Sequence, residues 1–363
     1  MLRIAHWPPT DGGNPYLRLY TKALQAHDVV PVFDLRINDS SLIRLAPSLH
    51  AIHFHQYTEG IWRTRGRSLF QHSRGLFGFW KYLRLAKKLG LKLIWTVHDI
   101  EHHEGFSPLD RLGYRILAKY ADLVICHDQH TRKEFLLRYR GKAERTVVMP
   151  IGNYDDAFPA PRAREGTLQK LGLPNVKTLV GFGSIRQYKG FDLAIAAMRE
   201  LGDGFQLIVA GQPIAPNVGD ELRQKANGLA NVHLLLERIN DQLAADLLHA
   251  ADCVVLPYRY ITGSSALLSA FSLGRGVVAS DLPFFRETLA CEPEAGVLVS
   301  PDDVAALVSG VRRFFSGDVA ARHAAARRLA DRYSWSEVVR PVVERLENLW
   351  PKTAERIRQY VHR

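Results

Sequence analysis

The sequence predicts an α/β protein built from two doubly wound parallel sheets, and three observations lead there. Short apolar runs of strand length alternate with stretches of helical spacing in both halves of the chain. Its 363 residues suit two domains at a prior of roughly 150 each. Between the halves, Pro150 to Gly166 is rich in Pro, Gly, Asp and Arg and carries no periodicity, which marks a domain boundary. The expected division is 1–155 and 156–340, with 341–363 as a C-terminal helix packing back toward the first domain. A closed eight-fold barrel is the alternative, and the interruption midway argues against it.

Leu2 to His6 reads as the first strand. The loop after it holds Gly12 and Gly13, where backbone can approach a ligand closely, and a helix follows with apolar positions Tyr16, Leu17, Leu19, Tyr20, Ala23 and Leu24. The loop lacks G-x-G-x-x-G spacing, so an ordinary dinucleotide fingerprint is absent. Val29 to Phe33, Ala51 to Phe54 and Leu91 to Val97 read as further strands. The last runs into His98-Asp-Ile-Glu-His-His-Glu104, three histidines and three acids within seven residues at a strand's C-terminal end. Such crowding is how general bases are tuned toward working pH. No metal is expected there, because His98, His102 and His103 do not reproduce the H-E-x-x-H helix pattern. A helix from Pro108 to Tyr120, a strand from Asp122 to Cys126, a helix from near Thr131 and a strand from Thr146 to Met149 complete the first half.

The second half repeats the alternation: strand 178–182, helix 191–201, strand 205–210, helix near 219–228, strand 232–236, helix 240–249, strand 253–256, strand 276–279, and helices from Pro301 onward. Arg186 and Lys189 lie in the turn between the first strand of this half and its helix. In an open α/β sheet ligands bind beyond the carboxyl ends of strands. An Arg that grips oxygens bidentately and a Lys that acts as a point charge suit a diphosphate there, and a solvated basic turn is the plain alternative.

A formal charge of +11 calls for an anionic partner. From Trp62 to Lys92 the chain carries Arg63, Arg65, Arg67, Arg74, Lys81, Arg84, Lys87, Lys88 and Lys92 without one acid, interleaved with Phe70, Phe77, Phe79 and Trp80 among other apolar residues. This basic, aromatic-rich stretch reads either as a surface for anionic lipid or as a core-packed helix with a solvated basic face. No recognised nucleic-acid motif accompanies the charge, so nucleic acid is not expected as a partner. No apolar run reaches the ~18 residues of a membrane span and no signal peptide is expected, which points to the cytosol. The separated cysteines Cys126, Cys253 and Cys291 fit a reducing compartment better than a disulfide framework.

Several features now coincide in order: Gly12-Gly13 after the first strand, a strand ending in His98-Asp99, a mid-chain linker and Gly183-Ser-Ile-Arg186-Gln-Tyr-Lys189-Gly190. Further on come Ala251-Asp-Cys-Val-Val-Leu-Pro-Tyr258, Ser272-Leu-Gly-Arg-Gly-Val-Val-Ala-Ser280 and Tyr333-Ser-Trp335. Together these resemble the GT-B glycosyltransferases of the group 1 (family 4) type along nearly the whole chain. The resemblance implies two Rossmann-like domains facing a cleft, a nucleotide-sugar donor on the C-terminal one, an acceptor on the N-terminal one, and no metal or other cofactor. It implies that Arg186 and Lys189 hold the donor diphosphate. The amides of Gly263, Ser264 and Ser265, at a helix start after a strand, are placed to share that charge. Gly13, Tyr258 and Glu287 complete the expected donor set.

The family usually places two glutamates eight positions apart here, and this chain holds Ile261 and Ser269 instead. An isoleucine cannot accept a hydrogen bond from a sugar hydroxyl. Within the broad family, Asn14-Pro-Tyr16 with Leu19-Tyr20, Trp95-Thr-Val-His-Asp99, His103-Glu104 and Tyr258-Arg-Tyr-Ile-Thr-Gly263 resemble bacterial exopolysaccharide transferases, including xanthan-type β-mannosyltransferases. That resemblance implies Asn14 and Tyr16 as acceptor-binding residues. It also implies an inverting reaction whose base is Asp99, Glu104 or His98, in that order. The expected function is transfer of a hexose from GDP-mannose, with UDP-glucose second, to a polyprenyl-diphosphate-linked oligosaccharide at the inner face of the plasma membrane. The alternatives are a sugar-nucleotide epimerase and a non-catalytic binding subunit of a polysaccharide assembly complex.

Overall fold

A computed structural model of the chain describes residues 1–9, 14–55, 61–62, 68–101 and 107–350. The first six strands are β1 (Leu2–Trp7), β2 (Val29–Val32), β3 (Ala51–Phe54), β4 (Lys92–Val97), β5 (Leu123–Cys126) and β6 (Thr146–Val148). They form one parallel sheet in the order β2-β1-β3-β4-β5-β6. The remaining six are β7 (Lys177–Phe182), β8 (Phe205–Ala210), β9 (Val232–Leu235), β10 (Cys253–Leu256), β11 (Val277–Ser280) and β12 (Gly296–Val299). Their parallel sheet runs β12-β11-β10-β7-β8-β9. Both sheets are open, which excludes the barrel.

The chain divides into two units, one of 1–150 with 335–363 and one of 151–334. The C-terminal return therefore begins at Trp335, before the expected helix at 341. The short helix Trp335–Val338 packs on the helix Tyr16–Gln25, and the helix Arg340–Leu349 packs on β6. The expected linker is not structureless, since the helix Arg164–Lys170 begins inside it. That helix has no apolar periodicity to announce it. Arg164 fastens it instead, donating to the carbonyls of Val176 (2.7 Å) and Ala250 and to the Thr178 hydroxyl (3.1 Å).

Buried strands need their apolar faces covered on both sides, and the helices supply that cover. In the helix Leu69–Lys88, Ser68 and Gln71 form a capping box at the N-terminus. Its residues Leu76, Phe79, Tyr82, Leu83 and Ala86 are buried, each large apolar one contributing roughly 1.5–3 kcal/mol of transfer free energy. The same helix exposes Leu69, Phe70 and Phe77, so it is core-packed on one side and apolar in its first half on the other. Trp62 lies in that core, its indole N–H donating to Asp110 Oδ1 at 3.1 Å. Beneath it stands Gly113 of the helix Pro108–Tyr120, where any Cβ would run into the indole ring. No described helix is long and apolar enough to cross a membrane.

Candidate active site

In the second sheet the chain runs outward from β7 to β8 and β9 on one side, and from β10 to β11 and β12 on the other. The loops leaving adjacent strands β7 and β10 therefore part at a topological switch point, where open α/β sheets bind ligands. Loop 183–190 follows β7 and loop 257–264 follows β10. Glycine sets their spacing: Gly190 has φ +64°, and a Cβ there would collide with the Pro257 carbonyl. Arg259 ties the loops further, its amide donating to the Tyr188 carbonyl at 2.7 Å and its Nη1 to the Gln187 carbonyl at 2.8 Å.

Lys189 closes the 3₁₀ turn Gln187–Lys189 and is only 8% exposed. Its Nζ lies 5.6 Å from the centre of the Tyr258 ring, itself buried. Burial, and after it the like charge of Arg186, lowers Lys189 to about 7. A lysine with its pKa lowered by burial and with no carboxylate partner among the described residues gains by meeting an anion. Ser264 caps the helix Ser265–Ser272, its Oγ accepting from the Leu267 amide at 3.2 Å. The amides at this helix start have the orientation that suits a phosphate oxygen. Loop 257–264 and the helix start after it thus bring Tyr258, Gly263, Ser264 and Ser265 to the switch point that also carries Arg186 and Lys189. Glu287 is exposed on the helix Pro283–Leu289 after β11. Ile261 is half-buried in the loop, and Ser269 is buried within the helix.

In the first sheet the order turns back between β1 and β3. Histidines gather at the carboxyl ends of β1, β3, β4 and β5. His6 is in register with His53 across the β1–β3 pair, and the His55 amide donates to the Trp7 carbonyl at 2.7 Å. His6 Nδ1 lies 2.9 Å from His55 Nε2, and His53 Nε2 lies 2.8 Å from the Thr96 hydroxyl. His127 Nδ1 lies 3.0 Å from the Met149 carbonyl, and His127 Nε2 lies 3.2 Å from His98 Nδ1. A carbonyl accepts only, so His127 carries its proton on Nδ1 and accepts on Nε2. His98 must then donate from Nδ1, which leaves its Nε2 with the lone pair. Burial, and next the neighbouring His127, holds His98 at about 3, with Asp99 opposing; the ring is uncharged at neutral pH.

Tyr16 belongs to this cluster, its ring 4.9 Å from His98, 5.6 Å from His127 and 5.5 Å from Trp335. Asn14 precedes the same helix, its Oδ1 accepting from the Tyr16 amide at 3.1 Å. Asp99 is half-buried next to His98. Gly13 and Glu104, with His102 and His103, lie outside the described residues. Sequence reasoning concentrated on 98–104 and missed His6, His53, His55 and His127. A signal for them existed, since each stands at the carboxyl end of a strand-length apolar run or just beyond it.

Residues 176–316 match the family described as glycosyl transferases group 1, and residues 31–152 match glycosyltransferase family 4. A GDP-mannose:glycolipid 4-β-D-mannosyltransferase of Xanthomonas campestris pv. campestris is 32% identical over 229 residues, 61% of this chain and 60% of that protein. The lipopolysaccharide core biosynthesis mannosyltransferase LpsB of Rhizobium meliloti is 28% identical over 242 residues, 64% of each. The chain thus spans about three-fifths of the length of these relatives. Among solved structures, Anabaena HepE in complex with UDP and glucose superposes with a TM-score of 0.73 at 17% identity, covering 96% of this chain and 100% of that one. This likeness shows the GT-B fold.

Proposed function

The chain belongs to the group 1 and family 4 glycosyltransferases, and from that premise we propose that it moves a mannosyl group from GDP-mannose to a polyprenyl-diphosphate-linked oligosaccharide in exopolysaccharide synthesis. The observation that carries the reading is Lys189, buried at the switch point of the second sheet with no carboxylate partner among the described residues and joined there by Arg186 and a helix start. The leaving nucleoside diphosphate gains charge as the glycosidic bond breaks. Fixed cations and oriented amides stabilise that charge more in the transition state than in the ground state. No metal is invoked at the diphosphate.

The acceptor hydroxyl attacks the anomeric carbon, its proton passes to a base, and the diphosphate departs with the bonding pair. Ile261 and Ser269 supply no carboxylate on the donor side, which favours inversion with the base in the first unit. Asp99 fills that role as the charged acceptor, with Glu104 and His98 as the alternatives. The exposed Leu69, Phe70 and Phe77 beside Arg74 suit an anionic bilayer, which supports a lipid-linked acceptor at the inner membrane face. The choice of mannose follows the Xanthomonas relative.

Purified protein incubated with labelled GDP-mannose and a panel of polyprenyl-diphosphate oligosaccharides is expected to label the lipid. UDP-glucose serves as the competing donor. Release of a new sugar nucleotide without acceptor would identify an epimerase, and nucleotide binding without turnover on any donor would identify a binding subunit.

A further inference from the structure

We propose that His6, His53 and His55 together bind one divalent transition-metal ion of the zinc class, in a site separate from the donor diphosphate. The three side chains are 0%, 0% and 3% exposed, and one ring nitrogen from each lies within 4.8 Å of the other two. The proposal does not rest on the transferase reading.

Two features of the cluster support a metal over a purely hydrogen-bonded core. First, a neutral His6–His55 pair shares a single proton across its 2.9 Å gap. That gap is close to the span between two ligand nitrogens on a tetrahedral ion with bonds of about 2.0–2.1 Å, so an ion can replace the shared proton with little movement. Second, His53 Nδ1 is buried without a partner among the described residues, while its Nε2 faces the Thr96 hydroxyl. With that hydroxyl accepting from Nε2–H, Nδ1 carries the lone pair that a metal takes.

Neutral imidazoles are the metal-binding form, and three of them leave one tetrahedral position for water. The set comes from the β1–β3 pair alone. This explains why the sequence offered no metal spacing: the ligands are joined by strand register, with 46 intervening residues between His6 and His53.

The test uses full-length protein purified without a polyhistidine tag or a metal column. Elemental analysis is expected to find about one zinc-class ion per chain, or chelator-treated protein to take one up. Titration of stripped protein with cobalt should give the intense visible bands of a four-coordinate site, and zinc should raise the melting temperature saturably. His53→Gln and His55→Gln, checked for folding by circular dichroism, should lose the cobalt bands, whereas the surface variant His27→Gln should keep them. Wild-type protein with no stoichiometric ion, no cobalt bands and no zinc-dependent shift overturns the site. Unchanged bands in folded His53→Gln and His55→Gln also overturn it.

Discussion

Arg259 and Asp192 face each other through two parallel hydrogen bonds, Nη1 to Oδ1 at 3.0 Å and Nη2 to Oδ2 at 2.9 Å. Burial raises the Asp192 carboxyl. The hydrogen bonds and charge of Arg259, helped by Lys225, outweigh it, and the net direction is down. The fork joins the loop after β10 to the first turn of the helix Phe191–Leu201, on either side of the segment that carries Lys189. Arg259→Lys keeps the charge and loses the planar fork. It is expected to lower stability by only about 1 kcal/mol while weakening donor binding several-fold, read by denaturant unfolding beside nucleotide titration. A variant that binds donor normally removes Arg259 from the positioning of the loop.

Lys189 makes donor binding pH-dependent. In the free protein it loses its charge near pH 7, and a bound diphosphate restores the charged form. Binding therefore takes up a proton, and the donor dissociation constant should rise above pH 7 by up to about tenfold per unit. Isothermal titration in buffers of different ionisation enthalpy measures the uptake directly. Lys189→Gln should bind weakly with a flat profile, and a sloping profile in that variant assigns the proton elsewhere.

Arg186→Ala should cost about 100-fold or more in kcat with the fold intact, because its contact strengthens as the leaving group gains charge. Near-normal turnover would sink the diphosphate assignment.

Gly190→Ala combines a left-handed backbone with a collision against the Pro257 carbonyl. A loss of roughly 1–3 kcal/mol and a larger loss of nucleotide binding are expected, since both loops must shift. Gly166→Ala, in open space at a helical position, should be neutral or slightly stabilising by comparison.

Phe70→Ser with Phe77→Ser should reduce binding to anionic liposomes while leaving the melting temperature nearly unchanged, because both rings are exposed. Arg74→Gln should weaken the same binding in a salt-dependent way. Liposome binding indifferent to all three substitutions would remove this helix from membrane attachment.

The alternation of strand and helix was legible because both sheets are buried on two faces, so each strand is a short, nearly continuous apolar run. The Arg186 and Lys189 turn was legible for a related reason: a charged pair directly after such a run must stand at a sheet's carboxyl edge. The helix Arg164–Lys170 was not, since side-chain bonds to distant carbonyls hold it rather than an apolar stripe. The histidine cluster was illegible as a cluster for another reason. Its members are far apart in sequence, and only the order β2-β1-β3-β4-β5 brings them together. A local cluster such as 98–104 draws the eye by density, whereas strand register gathers residues without leaving any density to see.

The return of the chain to the first unit has a consequence for biosynthesis. Trp335 stacks edgewise on Tyr16 and Tyr20, and the helix Arg340–Leu349 covers β6. A ribosome has therefore delivered every residue of the second unit before it delivers the pieces that complete the first. The unit that begins the chain waits with part of its tyrosine–histidine surface uncovered while the later unit is already able to fold, so a chaperone that shields nascent chains has a defined patch to hold.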